Sequence, residues 1–533
     1  IEQCNASAVV SIEAELRFEN STFFDNTAST LSNRGGGACY AVGSRLSIAL
    51  SLFKNNKAPY GRGGSILLIS KSFLDMSSTT ITDASTSAVY GGSIYSLESI
   101  VHMNQSIIDG TSASSSGGAV FISGGELSFT KCNVHHCTAE QGGGIYANDG
   151  AVVTLQENST FDRNLAIYDG GAIYIEKATL LSKDVVYELN EALAFGAGVF
   201  VDRRAYAVTN HSTFRQNYAW SGGGIAMSRE SDGVFEHSLF EKNTARLGAA
   251  IYCSHNKKTV YVRHTVIRQN DATQGAAVLL EFSHLSFNQT TIQKNHADQV
   301  GGGVALFGKS SLNAILSTFI NNSATTGGGI YADGTSTVQI TDSKFSGNAA
   351  RNDGGAVALN SFVNALCVKV VFYGNVATDG DGGAVVRKQG ARVHILDSQF
   401  VNNAATRGRG GGIFIGTRGC RLYEICDRAG VDRQNLEHCA SGKELDNVDV
   451  TSILKCATLN QINFVENTAF VGGAGFYLKD WQYNANADLN RIVGEVCSAC
   501  IFSSNRMSDC VSQKAGDLMV SPISCKNDFA TDV

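Results

Sequence analysis

The residues whose spacing first suggests chemistry resemble a phosphate-binding loop. Gly303 is followed, after four residues, by Gly-Lys-Ser at 308–310. In that pattern backbone N–H groups cradle nucleotide phosphates and the lysine supplies a counter-charge, provided that a helix follows the loop. Here residues 301–303 belong to a glycine motif that recurs along the chain, and 304–307 and 311–319 both have the composition of strands. We therefore interpret this stretch as a repeat element and not as a nucleotide site.

Carboxylates at a recurrent turn are a second candidate. Asp379 and Asp381 lie in TDGDGGA, and Asp353 and Asp169 occupy the same turn of other repeats. Carboxylates clustered on one face can hold calcium or perform acid–base chemistry on polysaccharides. Because the turn recurs, we interpret these residues as an acidic corner of the repeat, with weak cation binding as the alternative.

A third candidate combines histidine and cysteine. His135 and His136 lie between Cys132 and Cys137, and imidazole and thiolate are the ligands that zinc prefers. We favour a local disulfide or an exposed histidine pair, and metal binding is the alternative. We accordingly predict no catalytic residue, no metal and no cofactor.

Composition excludes several classes of protein. The 533 residues include 57 Gly and 2 Pro, 43% are hydrophobic and 17% are charged, so the chain can bury a large core and differs from disordered sequences. A net charge of −6 lacks the basic character of nucleic-acid-binding proteins. No apolar run is long enough to predict a transmembrane helix, and no signal peptide is visible, so the N-terminus resembles that of a mature protein or an internal fragment.

A repeat decides the architecture. Segments such as STFDRNLA, STFRQNYA and SKFSGNAA share the pattern aromatic-x-x-Asn-x-Ala, and Gly-Gly followed by Ala or Gly and an aliphatic residue comes a few residues later. We count seventeen copies, with degenerate ones at Ala84, Gly110 and Cys137. Three strand-like pieces and no helix fit into each period, which predicts an all-β, single-stranded right-handed parallel β-helix of about 17 coils, similar to pectin lyases. The asparagine position is spaced by 25 to 28 residues at Cys137, Asn164, Asn190, Asn217, Asn243, Asn270, Asn295, Asn322, Asn348, Asn375 and Asn403.

Stacking of equal positions explains the consensus. The phenylalanines are expected to form an internal ladder, the asparagines to hydrogen-bond from coil to coil at a bend, and the glycines to supply positive φ. The tyrosine that often follows Gly-Gly-x-Ile is expected to face outward. The expected ladder contains Phe23, Phe161, Phe214, Phe240, Phe319, Phe345, Phe372, Phe400 and Phe464.

The two motifs FxxN and GGA[ILV], seen at 161–175 and 345–359, resemble the repeat of the chlamydial polymorphic membrane proteins, which are passenger domains of autotransporter adhesins. The resemblance covers residues 18–410 well and 460–520 loosely. It implies an extracellular or cell-surface β-helix, often adhesive, and carries over no catalytic residue.

The repeat is interrupted near the C-terminus. We predict a regular β-helix over 1–410, a Cys-rich insertion over 411–460, and final irregular coils with a tail over 461–533. Eight of the 14 cysteines follow residue 400, and we expect structural disulfides among them, including the Cys-x-x-Cys pair, which lacks a second zinc-binding half. Basic residues bordering the insertion are interpreted as a solvated loop, with an acidic partner as the alternative: Arg407, Arg409, Arg418 and Arg421. The disulfide candidates are Cys132, Cys137, Cys420, Cys426, Cys439, Cys456, Cys497, Cys500, Cys510 and Cys525.

Seven Asn-X-Ser/Thr sequons and the cysteines favour an oxidising, secretory environment. Five sequons fall six or seven residues before the repeat asparagine, so they are expected to line one strip of the β-helix, compatible with N-glycans. The candidates are Asn5, Asn20, Asn104, Asn158, Asn210, Asn288 and Asn321.

These features favour a non-enzymatic, secreted or cell-surface structural or adhesive protein, and in one form a glycosylated subunit of a filament, appendage or coat. Its expected partners are further copies of itself or other extracellular matrix or filament proteins, because the ends of a β-helix carry unpaired strands. The alternative is a polysaccharide lyase or hydrolase that acts in a surface groove, although the Asp-Asp pair and Gly-His-Gly of pectinases are absent.

Overall fold

The computed structural model describes residues 7–28, 35–82, 88–416, 457–470, 476–479, 497–498, 501–503, 506–507, 518–520 and 530–532. The chain forms two compact units, residues 1–272 and 273–533. Within each, the described residues form a parallel β-solenoid of short strands joined by bends, without a helix, which confirms the predicted fold class. Accordingly, no described segment is a helix that could cross a membrane.

Most turns contain four strands, one more than the sequence predicts, whereas the turns that begin with Val9 and Cys39 contain three among the described residues. We name them a to d: in one turn they are Ile173–Glu176, Thr179–Lys183, Val186–Glu188 and Glu191–Phe195. Strand d follows the repeat asparagine and was hidden in the sequence because it is short and lacks an apolar alternation. It nevertheless pairs in parallel with strand d of the next turn, as Ala192 does with Ala219.

Among its described residues, the first unit contains ten strands of each of the classes a, b and c. Strands a are Val9–Ile12, Cys39–Val42, Ile66–Ile69, Ile94–Leu97, Val120–Ser123, Ile145–Asn148, Ile173–Glu176, Val199–Asp202, Ile225–Ser228 and Ile251–Ser254. Strands b are Glu15–Glu19, Arg45–Ala49, Phe73–Ser77, Ile100–Asn104, Glu126–Thr130, Val152–Gln156, Thr179–Lys183, Tyr206–Asn210, Asp232–Glu236 and Thr259–Arg263. Strands c are Thr22–Phe24, Leu52–Lys54, Thr80–Thr82, Ile107–Asp109, Asn133–His135, Thr160–Asp162, Val186–Glu188, Thr213–Arg215, Leu239–Glu241 and Val266–Arg268. Strands d are Ala88–Tyr90, Ala113–Ser116, Thr138–Gln141, Leu165–Asp169, Glu191–Phe195, Tyr218–Ser221, Thr244–Leu247 and, at the boundary, Asp271–Gln274.

The second unit repeats the same four classes. Strands a are Val278–Glu281, Val304–Phe307, Ile330–Ala332, Val357–Leu359, Val385–Arg387, Ile413–Gly416 and Phe476–Lys479. Strands b are His284–Asn288, Ser311–Ile315, Thr337–Thr341, Asn364–Val368, Arg392–Leu396, Ala457–Asn460 and Cys497–Ser498. Strands c are Thr291–Gln293, Thr318–Ile320, Lys344–Ser346, Val371–Tyr373, Gln399–Val401, Asn463–Val465 and Ile501–Ser503. Strands d are His296–Val300, Ser323–Thr326, Ala349–Ala350, Val376–Ala377, Ala404–Ala405, Thr468–Ala469 and Arg506–Met507. Two further strands, Leu518–Val520 and Ala530–Asp532, pair antiparallel with the last strands a and c.

The core of each unit contains stacked aromatic rings contributed by strands c. In the first unit Phe214 stacks on Tyr187 and Phe240 with centroids 4.5 and 4.8 Å apart. In the second unit Phe319 and Phe345 stack at 4.4 Å. These rings are fully buried, and offset stacking adds about 0.5–1.5 kcal/mol per pair beyond the area that each ring buries.

The repeat asparagines form buried amide ladders at the bend between strands c and d. The Asn217 side chain donates to the carbonyl of Tyr187 and to Oδ1 of Asn243, each at 3.0 Å. Its own Oδ1 accepts from both the backbone N and the Nδ2 of Asn190 at 3.0 Å. One side chain thus satisfies four partners that water cannot reach. In the second unit Asn322 makes the same bonds to Ile292 and Asn348.

The amide ladder is interrupted in the first unit. Cys137 occupies the asparagine position, since its N–H donates to Oδ1 of Asn164. One turn earlier the corresponding residue is Thr111. We expected Gly110 from the sequence, but Gly110 lies in the left-handed bend that precedes this position (φ 67°). Neither replacement carries an amide, so two adjacent turns lack its hydrogen bonds.

A prediction concerns the amide ladder. Replacing Asn217 by Ala leaves the Tyr187 carbonyl and two donors of Asn190 without partners in the core, and each such loss costs about 1–3 kcal/mol. We expect Asn217→Ala to lower the free energy of unfolding by roughly 3 kcal/mol or more, measured by urea denaturation. Thr244→Ala, a change on the exposed face of the following strand, should cost less than about 0.5 kcal/mol. Equal effects of the two changes would contradict the role of the ladder.

A second prediction separates two neighbouring glycines. Gly222 has φ 67°, and a Cβ there would lie 2.5 Å from the Ile225 carbonyl oxygen, so Gly222→Ala should cost about 2–4 kcal/mol. At Gly223 a Cβ would lie 2.8 Å from the backbone oxygens of Thr244 and Ala249, but the φ is not positive. Alanine occupies the equivalent place in both flanking turns, Ala197 and Ala249, so Gly223→Ala should cost less, about 1–2 kcal/mol. Thermal unfolding of both variants tests the difference, and a reversed order would refute this assignment of the glycine roles.

Candidate interaction surface

The phosphate-loop pattern is part of the solenoid. Residues 304–307 form a strand a, Lys309 is exposed in the following bend, and the Ser310 hydroxyl donates to the Phe307 carbonyl at 2.7 Å. A strand therefore occupies the place where phosphate-binding backbone N–H groups would converge.

The acidic corner of the second unit is neutralised by bases. Lys388 contacts Asp353 at 2.6 Å, and Arg409 contacts Asp381 at 2.9 Å. Asp379 forms an ion pair with Arg407 at 2.8 Å. Arg407 and Arg409, two of the four arginines that we interpreted as a solvated basic loop, are therefore engaged in ion pairs. The other two, Arg418 and Arg421, lie outside the described residues.

The two cysteines beside the histidine pair are buried free thiols. The predicted local disulfide is therefore not formed. The extended strand Asn133–His135 separates Cys132 from Cys137 by roughly 15 Å of chain, far beyond the Cα separation of about 7 Å that a disulfide allows. Burial raises the pKa of the Cys137 thiol to about 11, so it is a packing residue rather than a reactive one.

The other predicted disulfides remain predictions. Cys497 begins a short described strand, while Cys420, Cys426, Cys439, Cys456, Cys500, Cys510 and Cys525 lie outside the described residues.

The sequons of the first unit lie at the bends between strands b and c. Asn20, Asn104 and Asn158 are exposed there and Asn210 is half-buried, in agreement with one strip on that unit. In the second unit Asn288 is half-buried at the end of a strand b, and Asn321 is exposed at the bend between c and d. Asn5, in the first unit, lies outside the described residues. Their glycosylation remains a prediction.

The aromatic residue that follows the glycine motif, which we expected to face outward, is nevertheless buried. In the first unit Tyr95, Phe121, Tyr146 and Tyr174 stack at 4.9–5.2 Å and are only 4–7% exposed. They point away from the inner core, but the ends of strands d cover part of this row, as Tyr90 does for Phe121 at 5.1 Å. The row is thus a second, outer core.

Carboxylates of neighbouring turns accept hydrogen bonds from this outer row. The hydroxyl of Tyr146 donates to Glu176 at 3.0 Å, and that of Tyr174 donates to Asp202 at 3.1 Å. Burial, together with the Asp202 charge, raises the pKa of Tyr174 above its ordinary value, so the phenol stays protonated and donates. Asp202 is itself buried, with Arg229 Nε 3.5 Å from its Oδ1.

Asp169 lies at the end of a strand d beside this group. It accepts a hydrogen bond from the Phe195 N–H at 3.3 Å. Burial raises its pKa to about 6, and the negative charge of Asp202 adds to the shift. In the sequence Asp169 is one of several equivalent corner acids. In the structure it differs from the ion-paired acids of the second unit because its pKa is raised.

A basic strip follows the bends between strands a and b in four successive turns of the first unit. Six lysines and arginines face four carboxylates there, so the strip is net positive. No run of charge marks it in the sequence, because only one or two of its cations occur in each period. The cations are Lys177, Arg203, Arg204, Arg229, Lys257 and Lys258, and the carboxylates are Glu176, Asp202, Glu230 and Asp232.

Most of the ion pairs in the strip leave at least one partner exposed, as between Arg204 and Glu230 at 3.1 Å, and such pairs stabilise a fold little because solvent screens them. Part of the strip lines an open surface depression, together with Glu230 and His255. The basic side chains can therefore exchange these partners for an anionic one at little cost.

An exposed apolar patch occupies strands d of three successive turns, two of which also carry the basic strip. Its members are 44–56% exposed and follow or flank the buried alanines that pair along the unit. The Arg246 guanidinium lies over the Trp220 ring, 4.6 Å from its centroid. We call this group the strand-d patch: Ile167, Tyr168, Leu193, Tyr218 and Trp220.

Comparison with known families agrees with this architecture. Residues 118–324 match the family model described as a right handed beta helix region. Residues 317–333 match the Chlamydia polymorphic membrane protein repeat. No curated protein and no solved structure matches the chain. The chain therefore contains a right-handed β-helix region with a repeat like that of the chlamydial proteins, as its motifs indicate, and the repeat suggests a surface protein.

The raised pKa of Asp169 gives a prediction for stability. A carboxyl whose pKa is raised by folding contributes its stability below the unfolded pKa of 3.8 and loses it as the pH rises through about 6. Asp169→Asn keeps an acceptor for Phe195 but removes this titration. Relative to the wild type, the variant should gain roughly 1–3 kcal/mol between pH 4 and pH 7.5, measured by urea denaturation. Asp298→Asn, at a largely exposed carboxylate, serves as the control, and identical pH profiles of Asp169→Asn and wild type would contradict the assignment.

Proposed function

We propose that this chain is a secreted or cell-surface β-helix that acts as an adhesive or structural protein and not as an enzyme. The observation that carries the proposal is the strand-d patch. Soluble monomers rarely expose contiguous large apolar side chains, and such patches mark interaction sites. The family matches support a surface location.

The patch is suited to binding because its backbone is fixed. Its residues lie on consecutive parallel strands, which are about 4.8 Å apart, and the buried alanines Ala166, Ala192 and Ala219 anchor each strand from below. Exposed tyrosine and tryptophan provide large contact areas at low conformational cost. A rigid row of this kind presents its side chains without an ordering penalty on binding.

The predicted N-glycans are compatible with this use of the surface. In the first unit the sequon asparagines lie at bends between strands b and c, whereas the patch lies on strands d, with strand c between them. Glycans at Asn158 or Asn210 would therefore leave the patch open. The partner that we propose is another copy of the chain or another extracellular protein.

The pairing of the corner acids supports a non-enzymatic role. Asp353, Asp379 and Asp381 are each held by a lysine or arginine. A polysaccharide lyase or hydrolase needs carboxylates that are free to bind calcium or to exchange protons with the substrate.

The patch can be tested with polar substitutions. The double variant Tyr168→Ser/Trp220→Ser should reduce self-association in analytical ultracentrifugation, or binding to immobilised extracellular matrix proteins, at least tenfold. Tyr261→Ser is a matched control, because Tyr261 is an exposed aromatic residue of a strand b outside the patch. Failure of the wild type to self-associate or bind, or equal binding by the double variant, would overturn the proposal. Depolymerisation of a uronate-containing polysaccharide that Asp379→Asn abolishes would establish the enzymatic alternative.

A further inference from the structure

Three metal-binding side chains converge at the ends of two neighbouring strands c in the first unit. Asp109 and His135 are paired residues in the parallel register of these strands. His136 follows His135 in a left-handed bend with φ 54°, which turns its ring to the same side. The two histidines are adjacent in the sequence, whereas Asp109 lies one repeat period upstream.

The three ligand atoms form a nearly equilateral triangle. Asp109 Oδ1 lies 2.9 Å from His135 Nδ1 and 3.1 Å from His136 Nδ1, and the two nitrogens are 3.1 Å apart. A cation bound at about 2.0–2.1 Å from each atom would place its ligands roughly 2.9–3.4 Å from one another in octahedral or tetrahedral geometry. The triangle thus has the size of one face of such a coordination sphere.

Hydrogen bonding alone explains this arrangement less well. A neutral imidazole carries its proton on one ring nitrogen. If both Nδ1 atoms carry a proton and donate to Asp109, two N–H groups face each other at 3.1 Å. If only one Nδ1 carries a proton, the lone pair of the other Nδ1 must share that single N–H with the Asp109 carboxylate. A metal ion uses the lone pairs of all three atoms at once.

The surroundings leave a route to solvent. The side chains of His135, Asp109 and His136 are 28%, 38% and 54% exposed, so water can complete the coordination sphere. Asp162 is the register partner of His135 on the following turn. Its Oδ2 is paired with Arg163 at 2.5 Å, while its Oδ1 is buried without a hydrogen-bond partner, so Asp162 adds little net charge on that side. Among the described residues this is the one group of three such ligands.

The position coincides with the break in the amide ladder. Asp109 and His136 immediately precede Gly110-Thr111 and Cys137, the turns in which the asparagine is missing. A cation held by Asp109 from one turn and by the histidines of the next would tie these turns together. Binding to the folded state alone stabilises that state in proportion to the logarithm of the metal concentration over Kd.

We propose that Asp109, His135 and His136 bind one divalent transition-metal ion of the Zn²⁺ type, with water as the remaining ligand. Two imidazole nitrogens and one carboxylate suit Zn²⁺ and its neighbours, whereas Ca²⁺ and Mg²⁺ prefer oxygen ligands only. The ion links adjacent turns and stabilises the first unit.

The test uses the full-length chain after removal of metal with a chelator. Titration calorimetry with ZnCl₂ should show one equivalent bound, and CaCl₂ should show none at that site. Asp109→Asn and His136→Asn should each weaken Zn²⁺ binding at least tenfold and abolish the rise in the thermal midpoint that Zn²⁺ gives the wild type. The visible absorption of bound Co²⁺ should be lost in the same variants.

His237→Asn is the matched control, because His237 belongs to a second exposed histidine group, stacked at 4.8 Å on His211 and His264. It should bind Zn²⁺ like the wild type. No Zn²⁺ binding by the wild type, binding that survives Asp109→Asn and His136→Asn, or loss in His237→Asn alone would each overturn the proposal. Far-ultraviolet circular dichroism of the metal-free variants establishes that they are folded.

Discussion

The amide and backbone hydrogen bonds between equivalent residues of successive turns are the constraint on which the rest of each unit depends. A buried asparagine such as Asn217 serves the turns before and after it, so it cannot move without breaking bonds in both. Buried polar groups must be paired, and a repeating chain meets this demand by placing the same residue at the same bend in each turn. Hydroxyl groups do the same at the bend between strands b and c, where the N–H of Ser212 donates to Ser238 and that of Ser238 to Thr265.

This constraint divides the side chains of a turn into two classes. Inward positions are restricted by stacking, as for Phe319 and Phe345, and carry little information about function. Outward positions are free of the stacking restriction, and substitutions there are tolerated unless the new side chain clashes with its neighbours in the register. The strand-d patch, the basic strip and the Asp109–His135–His136 group all use outward positions, and all combine residues that are about one period apart in the chain. Function in such a fold is therefore arranged along the stack rather than within one turn.

Interruptions of the pattern are informative for the same reason. Thr111 and Cys137 remove the amide from two adjacent turns, and the ligands of the proposed metal site lie directly before them. Asp169 differs from the other corner acids because it has no cation in contact and is buried at the edge of the outer aromatic row. In both places, a departure from the consensus coincides with unusual electrostatics.

The sequence predicted the parallel solenoid, the aromatic and asparagine ladders and the position of the glycine bend, because these depend on local patterns that recur. It missed strand d, whose two to five residues have no apolar alternation of their own, and it gave no sign that the outward-facing tyrosines of the outer row are covered. Phe121 of this row is buried in part because Tyr90, at the end of a strand d in another turn, packs against it, and no pattern around residue 121 encodes that cover. The expected bond between Cys132 and Cys137 was wrong because the intervening strand is extended.

The sequence by itself thus determined the repeat, its period and the inner core, since stacking requires the same residue types at the same phase. Only the tertiary structure decided which outward residues meet. The register pairs Asp109 with His135 and brings Arg229 to Asp202, and a shift of one residue would send these side chains to opposite faces of the strand. That register is set by the hydrogen bonds of the whole stack, and so the sites on its surface follow from the assembled fold rather than from any single motif.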